Sequence, residues 1–217
     1  MTFSEEWEQC FKNNTHISVW PWSDVVSYFR RYAKDSKNVL ELGCGVGANI
    51  PFFKLNEIEY YGIEGSKSAV DRIKQRFPEV NVIVGDFTKE IPIDKKFDLI
   101  LDRGALTHNT EEGIRNCLKI IHAKLAERGK YVGIDWFSTF HSDYLKGKDD
   151  VDQFTKTGYH EGQFTSVGRV HFSSKEHLLD LLQDFNIMIL EHKNIKTEIP
   201  ESKKNFASWN FVAQKRL

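Results

Sequence analysis

The first half of the chain alternates short runs of apolar, β-branched residues with stretches in which apolar residues recur every three or four positions. Five such runs predict strands, at 38–42, 59–64, 80–85, 97–102 and 130–137. The helically spaced stretches lie between them. This alternation is typical of βαβ units, and it predicts a parallel sheet covered by helices.

Two of the predicted helices are bounded by capping signals. Ser66 is placed to cap a helix that runs to residue 77, before Pro78. The clearest helix is predicted at 111–128, where acidic residues suit the positive end of the helix dipole and Gly129 suits the position after its end.

The last 45 residues predict one more helix and a hairpin. Ser173 and Glu176 form the pattern of a capping box for a helix at 173–185. Apolar residues then dominate 186–199 and 207–215, on either side of a polar turn, and predict an antiparallel pair of strands. The chain is therefore expected to form an α/β, doubly wound sheet that ends in a hairpin.

We expect a single domain over 1–217, made of four parts. They are an N-terminal helical lid or anchor at 1–36, a core at 37–137, a loop at 138–172, and the last helix with the hairpin at 173–217. The loop is too long to be a bare connection, so it is expected to cap a binding site.

Composition narrows the functional classes. The chain has 217 residues with 30 Lys and Arg, 31 Asp and Glu, and three Cys. The near-zero net charge argues against a protein that coats nucleic acid. The few, scattered Cys predict neither a disulfide framework nor a zinc site, and the His and acidic residues show no metal-ligand spacing. With no long apolar run and an acidic beginning, a cytoplasmic protein without a membrane span is expected.

The strongest chemical signal is a glycine-rich turn directly after the first predicted strand. It reads Glu41-Leu-Gly43-Cys44-Gly45-Val-Gly47-Ala48. Glycine there allows a backbone to approach a ligand closely. Gly43, Gly45 and Ala48 alone fit the dinucleotide fingerprint G-x-G-x-x-G/A, whereas the whole string, E-x-G-x-G-x-G, resembles the first motif of class I S-adenosylmethionine (SAM)-dependent methyltransferases.

Residues after the next two strands favour the second alternative. Both families place an acid on ribose hydroxyls where Glu64 stands, so this residue does not discriminate. Asp86 and Phe87, after the third strand, match the methyltransferase pattern and are not needed by dinucleotide enzymes. The charge of Glu41 would repel a pyrophosphate but attract a sulfonium or ammonium group.

The resemblance implies a seven-stranded sheet of order 3-2-1-4-5-7-6 and a set of SAM-binding residues. Gly43, Gly45 and Gly47 would line the methionine part, Glu41 would orient its amino group, and Cys44 would pack within the motif. The ribose would lie at Glu64 and Gly65, and the adenine at Asp86 and Phe87. The product would be S-adenosyl-L-homocysteine.

The methyl acceptor is expected at the carboxyl ends of the fourth and fifth strands. The string Asp102-Arg103-Gly104-Ala105-Leu106-Thr107-His108 resembles a segment of bacterial small-molecule methyltransferases in which Arg-Gly borders SAM and the His lies near the acceptor. His108 is the leading general-base candidate. Asp102 and Arg103 are assigned to the cofactor site, Asp135 is a further catalytic candidate, and Trp136 is a residue of the acceptor site.

Further candidates come from the long loop and the N-terminal segment. His171 is the second base candidate. The remaining candidates for the acceptor site are Trp20, Trp22, Tyr159, His160, Arg169 and Phe172. The two Trp residues equally suit a hydrophobic anchor for the helix that follows them.

The sequence thus predicts a metal-independent SAM-dependent methyltransferase that acts on a hydroxyl or amine of a small molecule, with a sugar or secondary metabolite as the first candidate. The absence of a D/N-P-P-Y/F/W string after the fourth strand argues against nucleic-acid bases as acceptors. Three alternatives stay open: a protein-directed methyltransferase, an NAD-type oxidoreductase on the same glycine loop, and a non-catalytic SAM-binding subunit. The oligomeric state is not predicted.

Overall fold

The computed structural model describes residues 5–216, and its centre is a seven-stranded sheet. The strands of this sheet are β1 (Asn38–Leu42), β2 (Glu59–Glu64), β3 (Asn81–Val84), β4 (Phe97–Arg103), β5 (Leu125–Phe137), β9 (Phe185–Lys196) and β10 (Asn205–Lys215). Their order is β3-β2-β1-β4-β5-β10-β9, which confirms the predicted order 3-2-1-4-5-7-6. The predicted parallel pairing of the first five strands is also confirmed.

Six α-helices accompany the sheet within the described residues. They are α1 (Glu5–Lys12), α2 (Ser23–Tyr28), α3 (Ile50–Leu55), α4 (Lys67–Arg76), α5 (Glu111–Lys124) and α6 (Lys175–Leu181). A π-helical turn at Phe29–Ala33 extends α2, and a 3₁₀ turn covers Leu106–His108. No helix in 5–216 combines the length and apolar character needed to cross a membrane.

Apolar side chains cover both faces of the sheet. On one face, α5 and α6 bury residues such as Ile114, Leu118 and Leu178. On the other face, α2, α3 and α4 bury residues such as Phe53 and Ile73. Since both faces are covered, the central strands are apolar throughout, and polar side chains are concentrated at the strand ends.

The C-terminal hairpin is confirmed. β10 lies between β5 and β9 and is antiparallel to both. A dinucleotide-binding sheet has the order 3-2-1-4-5-6 with parallel strands. The inserted antiparallel strand therefore separates this chain from the oxidoreductase alternative.

Residues 138–172 form a small cap over the carboxyl ends of the strands. Three very short antiparallel strands, β6 (Lys148–Asp149), β7 (Thr155–Thr157) and β8 (Val170–His171), make up its sheet. The cap has an apolar cluster of its own, which includes Phe164 and Phe172 and also takes in Phe137 of β5. This cluster fixes the cap to the sheet.

The predicted cap was correct for one helix. For two other helices, the structure places the helix end at a different residue. The Ser66 hydroxyl accepts a hydrogen bond from Ala69 N, as predicted. The last helix is capped by Ser174, one residue after the predicted Ser173. Ser173 instead accepts, through its carbonyl, a hydrogen bond from the Trp209 indole.

The fifth helix ends at Lys124, four residues before its predicted end. Leu125 already pairs with Phe97 of β4. Gly129 is not a helix cap: a Cβ at this position would lie 2.6 Å from the Phe97 carbonyl oxygen. The glycine is required there by the close approach of two strands.

Candidate active site

The loops that follow β1, β2, β3 and β4 meet at one edge of the sheet and enclose a cavity of about 360 Å³. We call it the cofactor cavity. It is lined by eight residues proposed from sequence as SAM-binding: Glu41, Gly43, Cys44, Gly45, Glu64, Asp86, Phe87 and Arg103. The carboxyl ends of adjacent parallel strands meet at one edge, and this brings residues more than 60 positions apart into a single site.

The turn after β1 adopts a conformation that requires glycine. Gly43 has φ +61°, and a Cβ on it would lie 2.3 Å from the Ala105 Cβ. Gly45 has φ +53° and exposes its backbone to the cavity. Gly47 lies beneath the turn instead, where its nearest neighbours are Ile50 and Ile73, so it shapes the turn without lining the cavity.

Glu41 is a buried carboxylate at the wall of this cavity. Its Oε1 accepts from the Asn49 amide at 2.7 Å, and its Oε2 accepts from the Tyr60 hydroxyl at 2.6 Å. Burial raises the pKa of Glu41 from its ordinary value of 4.5 to about 7, against the opposing effect of these two donors. A buried anion with neutral partners creates a site suited to a cationic ligand group.

Glu64, at the end of β2, fixes the glycine turn from below. Its two carboxylate oxygens accept from Gly45 N at 2.8 Å and from Ser66 N at 2.9 Å. Gly65 N also donates to this carboxylate, but Gly65 does not line the cavity. Burial raises the pKa of Glu64.

Asp86 and Phe87 close the other end of the cofactor cavity. One oxygen of Asp86 accepts from Thr88 N at 3.0 Å and from the Thr88 hydroxyl at 2.5 Å. The Lys89 ammonium lies 3.6 Å from the other oxygen. Phe87 presents an apolar ring that is 8% exposed.

Asp102 lies under the site rather than in it. One oxygen accepts from Ala105 N and Leu106 N, and the other from the Trp136 indole at 2.6 Å. Both Asp102 and Trp136 are fully buried and line neither cavity, so they support the turn that carries Arg103 and His108. Burial raises the pKa of Asp102 to about 6.

Helix α1 covers the cofactor cavity. Trp7 and Phe11 line it from this helix. Glu8 fastens the helix to the start of α4, because its carboxylate accepts from the hydroxyls of Ser66 at 2.5 Å and Ser68 at 2.6 Å. Burial opposes ionisation of Glu8, but the hydrogen bonds outweigh it and lower its pKa to about 2. A second tie joins Arg72 to the Phe11 carbonyl at 2.7 Å.

A second cavity of about 190 Å³ adjoins the first. We call it the acceptor cavity. Five residues line both cavities: Trp7, His16, Arg103, Gly104 and His108. The second cavity is completed by Asp135, Phe137, Gln163, Phe164, Val167 and Phe206.

His108 stands at the boundary of the two cavities. Its Nδ1 lies 3.0 Å from the Arg169 carbonyl oxygen. Because a carbonyl can only accept, Nδ1 carries the proton and Nε2 keeps its lone pair. Burial lowers the pKa of His108 to about 4, so the ring is neutral over the physiological range. The rings of Trp7 and Phe137 contact it edge-on, with centroids 4.9 and 6.0 Å away.

Asp135 lies at the floor of the acceptor cavity with φ +55°, a conformation that non-glycine residues rarely adopt. Its backbone N donates to the Asn210 side chain at 2.8 Å. Its carboxylate pairs with Arg103 at 3.0 Å on one oxygen and with Lys193 at 3.0 Å on the other. The guanidinium of Arg103 also stacks on Trp22, 3.5 Å from the ring centroid.

His171 lies away from both cavities. It is fully buried, with Thr155 Oγ1 3.0 Å from Nδ1 and His177 Nε2 3.1 Å from Nε2. Burial lowers its pKa to about 3. These contacts join the cap to α6, so His171 occupies a structural position.

The other residues assigned to the acceptor site from sequence divide into three groups. Trp22 lines the cofactor cavity, whereas Trp20 is 78% exposed and lies outside it. Tyr159 and Phe172 pack behind Phe164, with centroids 5.5 and 5.7 Å from its ring. Two residues point elsewhere: His160 is exposed, and the Arg169 side chain pairs with Asp150.

Several lining residues were not identified from the sequence. They are Trp7, Phe11, His16, Asn49, Phe137, Gln163, Phe164, Val167 and Phe206. Trp7 and Phe11 are four positions apart, and this spacing is a signal that could have marked a buried helix face. Phe206 reaches the cavity through the pairing of β10 with β5, which no local pattern in the sequence specifies.

Parts of the chain are similar in sequence to known methyltransferases. Residues 39–129 match a family model described as a methyltransferase domain. A relative from Alkaliphilus oremlandii, described as an uncharacterized methyltransferase, is 30% identical over 107 residues, which is 49% of this chain and 48% of the relative. The chain thus matches about half the length of this curated relative.

Two solved structures illustrate the fold. A SAM-dependent methyltransferase from Methanosarcina mazei has a TM-score of 0.69 at 17% identity, covering 91% of this chain and 99% of that one. An amino pentose methyltransferase from Micromonospora echinaspora, solved with SAM bound, has a TM-score of 0.59 at 17% identity, covering 89% of each chain. The family match thus indicates a methyltransferase domain at 39–129, and the solved structures show that the chain has the fold of class I, S-adenosylmethionine-dependent methyltransferases, as the sequence resemblance implied.

Proposed function

We propose that this protein transfers the methyl group of SAM to a hydroxyl or amine of a small molecule. The observation that carries the proposal is the pair of adjoining cavities with His108 and Arg103 in their shared wall. A transferase needs its two substrates side by side with water excluded, and this arrangement provides both positions.

The cofactor cavity fits SAM. Its volume of about 360 Å³ falls within the roughly 300–1,000 Å³ of small-molecule sites. The buried Glu41 carboxylate suits the cationic amino group of the methionine part. Glu64 would meet the ribose, while Asp86 and Phe87 would take the adenine amino group and ring. Residues 43–45 offer the close backbone approach that a ligand of this size needs.

When bound, SAM would supply an activated methyl group, and the electron pair of the carbon–sulfur bond would remain on sulfur when the acceptor oxygen or nitrogen takes the methyl carbon. The chain provides alignment and a place for the proton. His108 Nε2 holds a lone pair at the boundary of the two cavities, so it can accept the proton that the acceptor loses. Arg103, fixed by Asp135 and Trp22, shapes the opening between them.

The small size of the acceptor cavity favours a small molecule over a protein side chain on a folded surface. The cap at 138–172 and α1 both contribute lining residues, and we propose that they close over the acceptor within a single functional unit spanning 1–217. Cys10, Cys44 and Cys117 are buried free thiols, which supports a reducing, cytoplasmic location.

Calorimetric titration tests the cofactor assignment. SAM and S-adenosyl-L-homocysteine should bind at micromolar concentration, whereas NAD should not bind. Gly45→Val should abolish binding, because the side chain enters the cavity and its φ of +53° is strained for valine. Gly158→Val is the matched control: it has φ +69° and open space outside both cavities. NAD binding, or SAM binding that survives Gly45→Val, would contradict the proposal.

A methylation assay separates catalysis from binding alone. If SAM binds and no acceptor from a broad panel of phenols, amines and sugars is methylated while a protein partner is retained, the non-catalytic alternative is favoured. Release of S-adenosyl-L-homocysteine in the presence of a small acceptor supports the enzyme.

A further inference from the structure

Four of the eleven residues that line the acceptor cavity carry Trp or Phe rings, beside polar residues such as His16 and Gln163. Trp7, Phe137, Phe164 and Phe206 contribute rings from α1, β5, the cap and β10. The ring of Phe137 contacts those of Phe164 and Phe206 edge-on, with centroids 4.7 and 6.4 Å away. Because four separate elements converge on these contacts, the rings form a fixed box rather than a set of loose surface residues.

The charges that border this box are already paired. Asp135 is held by Arg103 and Lys193, and the Lys193 ammonium also contacts Asp24 at 2.7 Å. Two cations and two anions therefore neutralise one another at the floor. A charged acceptor would have to break one of these pairs, and burying an unpaired charge is strongly unfavourable.

At the boundary of the two cavities, His108 offers a hydrogen-bond acceptor to a bound molecule. His108 donates through Nδ1 to the Arg169 carbonyl, which leaves Nε2 with its lone pair. Nε2 has no hydrogen-bond partner within the described residues. An occupant that presents a single N–H or O–H donor at this edge would satisfy it.

The volume limits the occupant to about one ring. An engineered apolar cavity of about 150 Å³ binds benzene, and the acceptor cavity has about 190 Å³. A sugar of similar size would place several of its hydroxyl groups against the four aromatic rings of this cavity. Each buried polar group without a partner is unfavourable, so the wall disfavours a sugar.

We propose that the methyl acceptor is a neutral, single-ring aromatic hydroxyl compound, a simple phenol, whose ring packs against Phe137, Phe164 and Phe206 and whose hydroxyl donates to His108 Nε2. This inference rests on the proposed methyltransferase function and narrows the acceptor from any small hydroxyl or amine to one class. In the reaction, the phenol oxygen would bond to the methyl carbon of SAM as the carbon–sulfur bond breaks with its electron pair left on sulfur, and the phenol proton would pass to Nε2.

Four ligands of similar size separate the contributions of ring and hydroxyl. 4-Methylphenol has both, toluene lacks the hydroxyl, cyclohexanol lacks the aromatic ring, and glucosamine is a polar amino sugar. Each is titrated, by calorimetry or by ligand-observed NMR, into the protein saturated with S-adenosyl-L-homocysteine and into the free protein. We expect 4-methylphenol to bind at least about tenfold more tightly than toluene, one hydrogen bond being worth about that factor, and also more tightly than cyclohexanol and glucosamine.

Variants assign the binding to this cavity. His108→Phe retains an aromatic ring and removes Nε2, so the preference for 4-methylphenol over toluene should disappear. Phe164→Ala should weaken both ligands. Phe140→Ala is the control, since Phe140 is exposed and outside both cavities, and it should bind all ligands as the wild type does. A melting curve for each variant establishes that it is folded, and His108→Asn, which can keep the donor to Arg169, replaces His108→Phe if that variant does not fold.

The outcomes distinguish the two proposals. If S-adenosyl-L-homocysteine binds but glucosamine or cyclohexanol binds at least as well as 4-methylphenol, the aromatic acceptor is refuted and the methyltransferase proposal stands. If S-adenosyl-L-homocysteine does not bind, the proposed function fails, and the titrations of the free protein still decide whether the box takes a phenol. Binding of 4-methylphenol that is unaffected by both cavity variants would place it elsewhere and overturn the inference.

Discussion

Replacing Glu41 by glutamine should make the free protein more stable and the cofactor complex weaker. Glu41 is 4% exposed, and its two oxygens accept from the neutral donors Asn49 and Tyr60. A carboxylate in this environment lacks the water that would stabilise its charge. Glutamine has nearly the same shape and keeps an acceptor for Asn49, so the substitution removes the charge with little change of packing.

The magnitude follows from the raised pKa of Glu41. The native pKa of about 7 lies above the ordinary value of 4.5. Between these values the folded state holds a proton that the unfolded state has lost, so the wild type loses stability as the pH rises through this window. Each tenfold change in proton affinity is worth about 1.4 kcal/mol, and the full loss above the native pKa is about 3 kcal/mol.

The Glu41→Gln substitution restores part of this lost stability. The glutamine amide faces the Tyr60 hydroxyl, which must turn to accept, and a weakened hydrogen bond costs about 1 kcal/mol. At about pH 8 the variant should therefore be more stable than the wild type by about 2 kcal/mol, and at about pH 5 the two should be nearly equal. Urea unfolding followed by circular dichroism at both pH values measures this difference.

The affinity should change in the opposite direction. A carboxylate and an ammonium a few ångströms apart near a wet surface attract by about 1 to 4 kcal/mol, so the loss of the charge should weaken SAM binding roughly thirtyfold. Glu59→Gln is the control: Glu59 is exposed and pairs with Lys95 at 2.5 Å, so neither stability nor affinity should change by much. A Glu41→Gln protein that is less stable at both pH values, or that binds SAM as tightly as the wild type, would refute the reasoning.

Three other predictions concern the lid, the base and the adenine site. Glu8→Gln weakens the tie between α1 and Ser66 and Ser68, so S-adenosyl-L-homocysteine should dissociate several-fold faster in stopped-flow fluorescence; an unchanged rate would mean that α1 does not gate the cavity. His108→Asn should lower the rate of methyl transfer and leave the SAM affinity unchanged. His171→Asn should lower the melting temperature and leave the rate per folded molecule unchanged. The reverse pattern would make His171 the base. Asp86→Asn should weaken SAM binding about tenfold by removing a charged hydrogen-bond acceptor, and equal affinity would place the adenine elsewhere.

Periodicity in the sequence predicted the sheet well because each central strand is buried on both faces. An apolar run of five or six residues between a helix and a turn has few other stable conformations, and NVLEL and EYYGIE match β1 and β2 residue for residue. The glycine turn was predictable for a related reason, since Gly43 must adopt a positive φ next to Ala105.

The short strands within the cap could not be predicted from its sequence. Its strands are two or three residues long, too short for an alternating pattern, and they are fixed by contacts such as Lys156 with Asp149 and Thr155 with His171. The aromatic box depends on Phe137 and Phe206 meeting across the sheet, 69 positions apart in the chain, through pairing that no local pattern specifies.

The misplaced site residues share a physical cause. Trp136 and Asp102 are neighbours of true lining residues in sequence, but successive residues in a strand point to opposite faces. Trp136 points into the core and donates to Asp102, while Phe137 points into the acceptor cavity. In the same way, Arg169 contributes its carbonyl rather than its side chain, and it is this carbonyl that sets the tautomer of His108.

SAM is proposed to bind in the cofactor cavity, which lies after β1, β2 and β3. Hydrogen–deuterium exchange with and without S-adenosyl-L-homocysteine tests it most directly, because it reports where on the chain a ligand protects the backbone. We expect added protection in three segments, 43–49, 64–66 and 85–88, and in α1 above them. Protection confined to other segments, or none at a concentration that saturates binding, would contradict it.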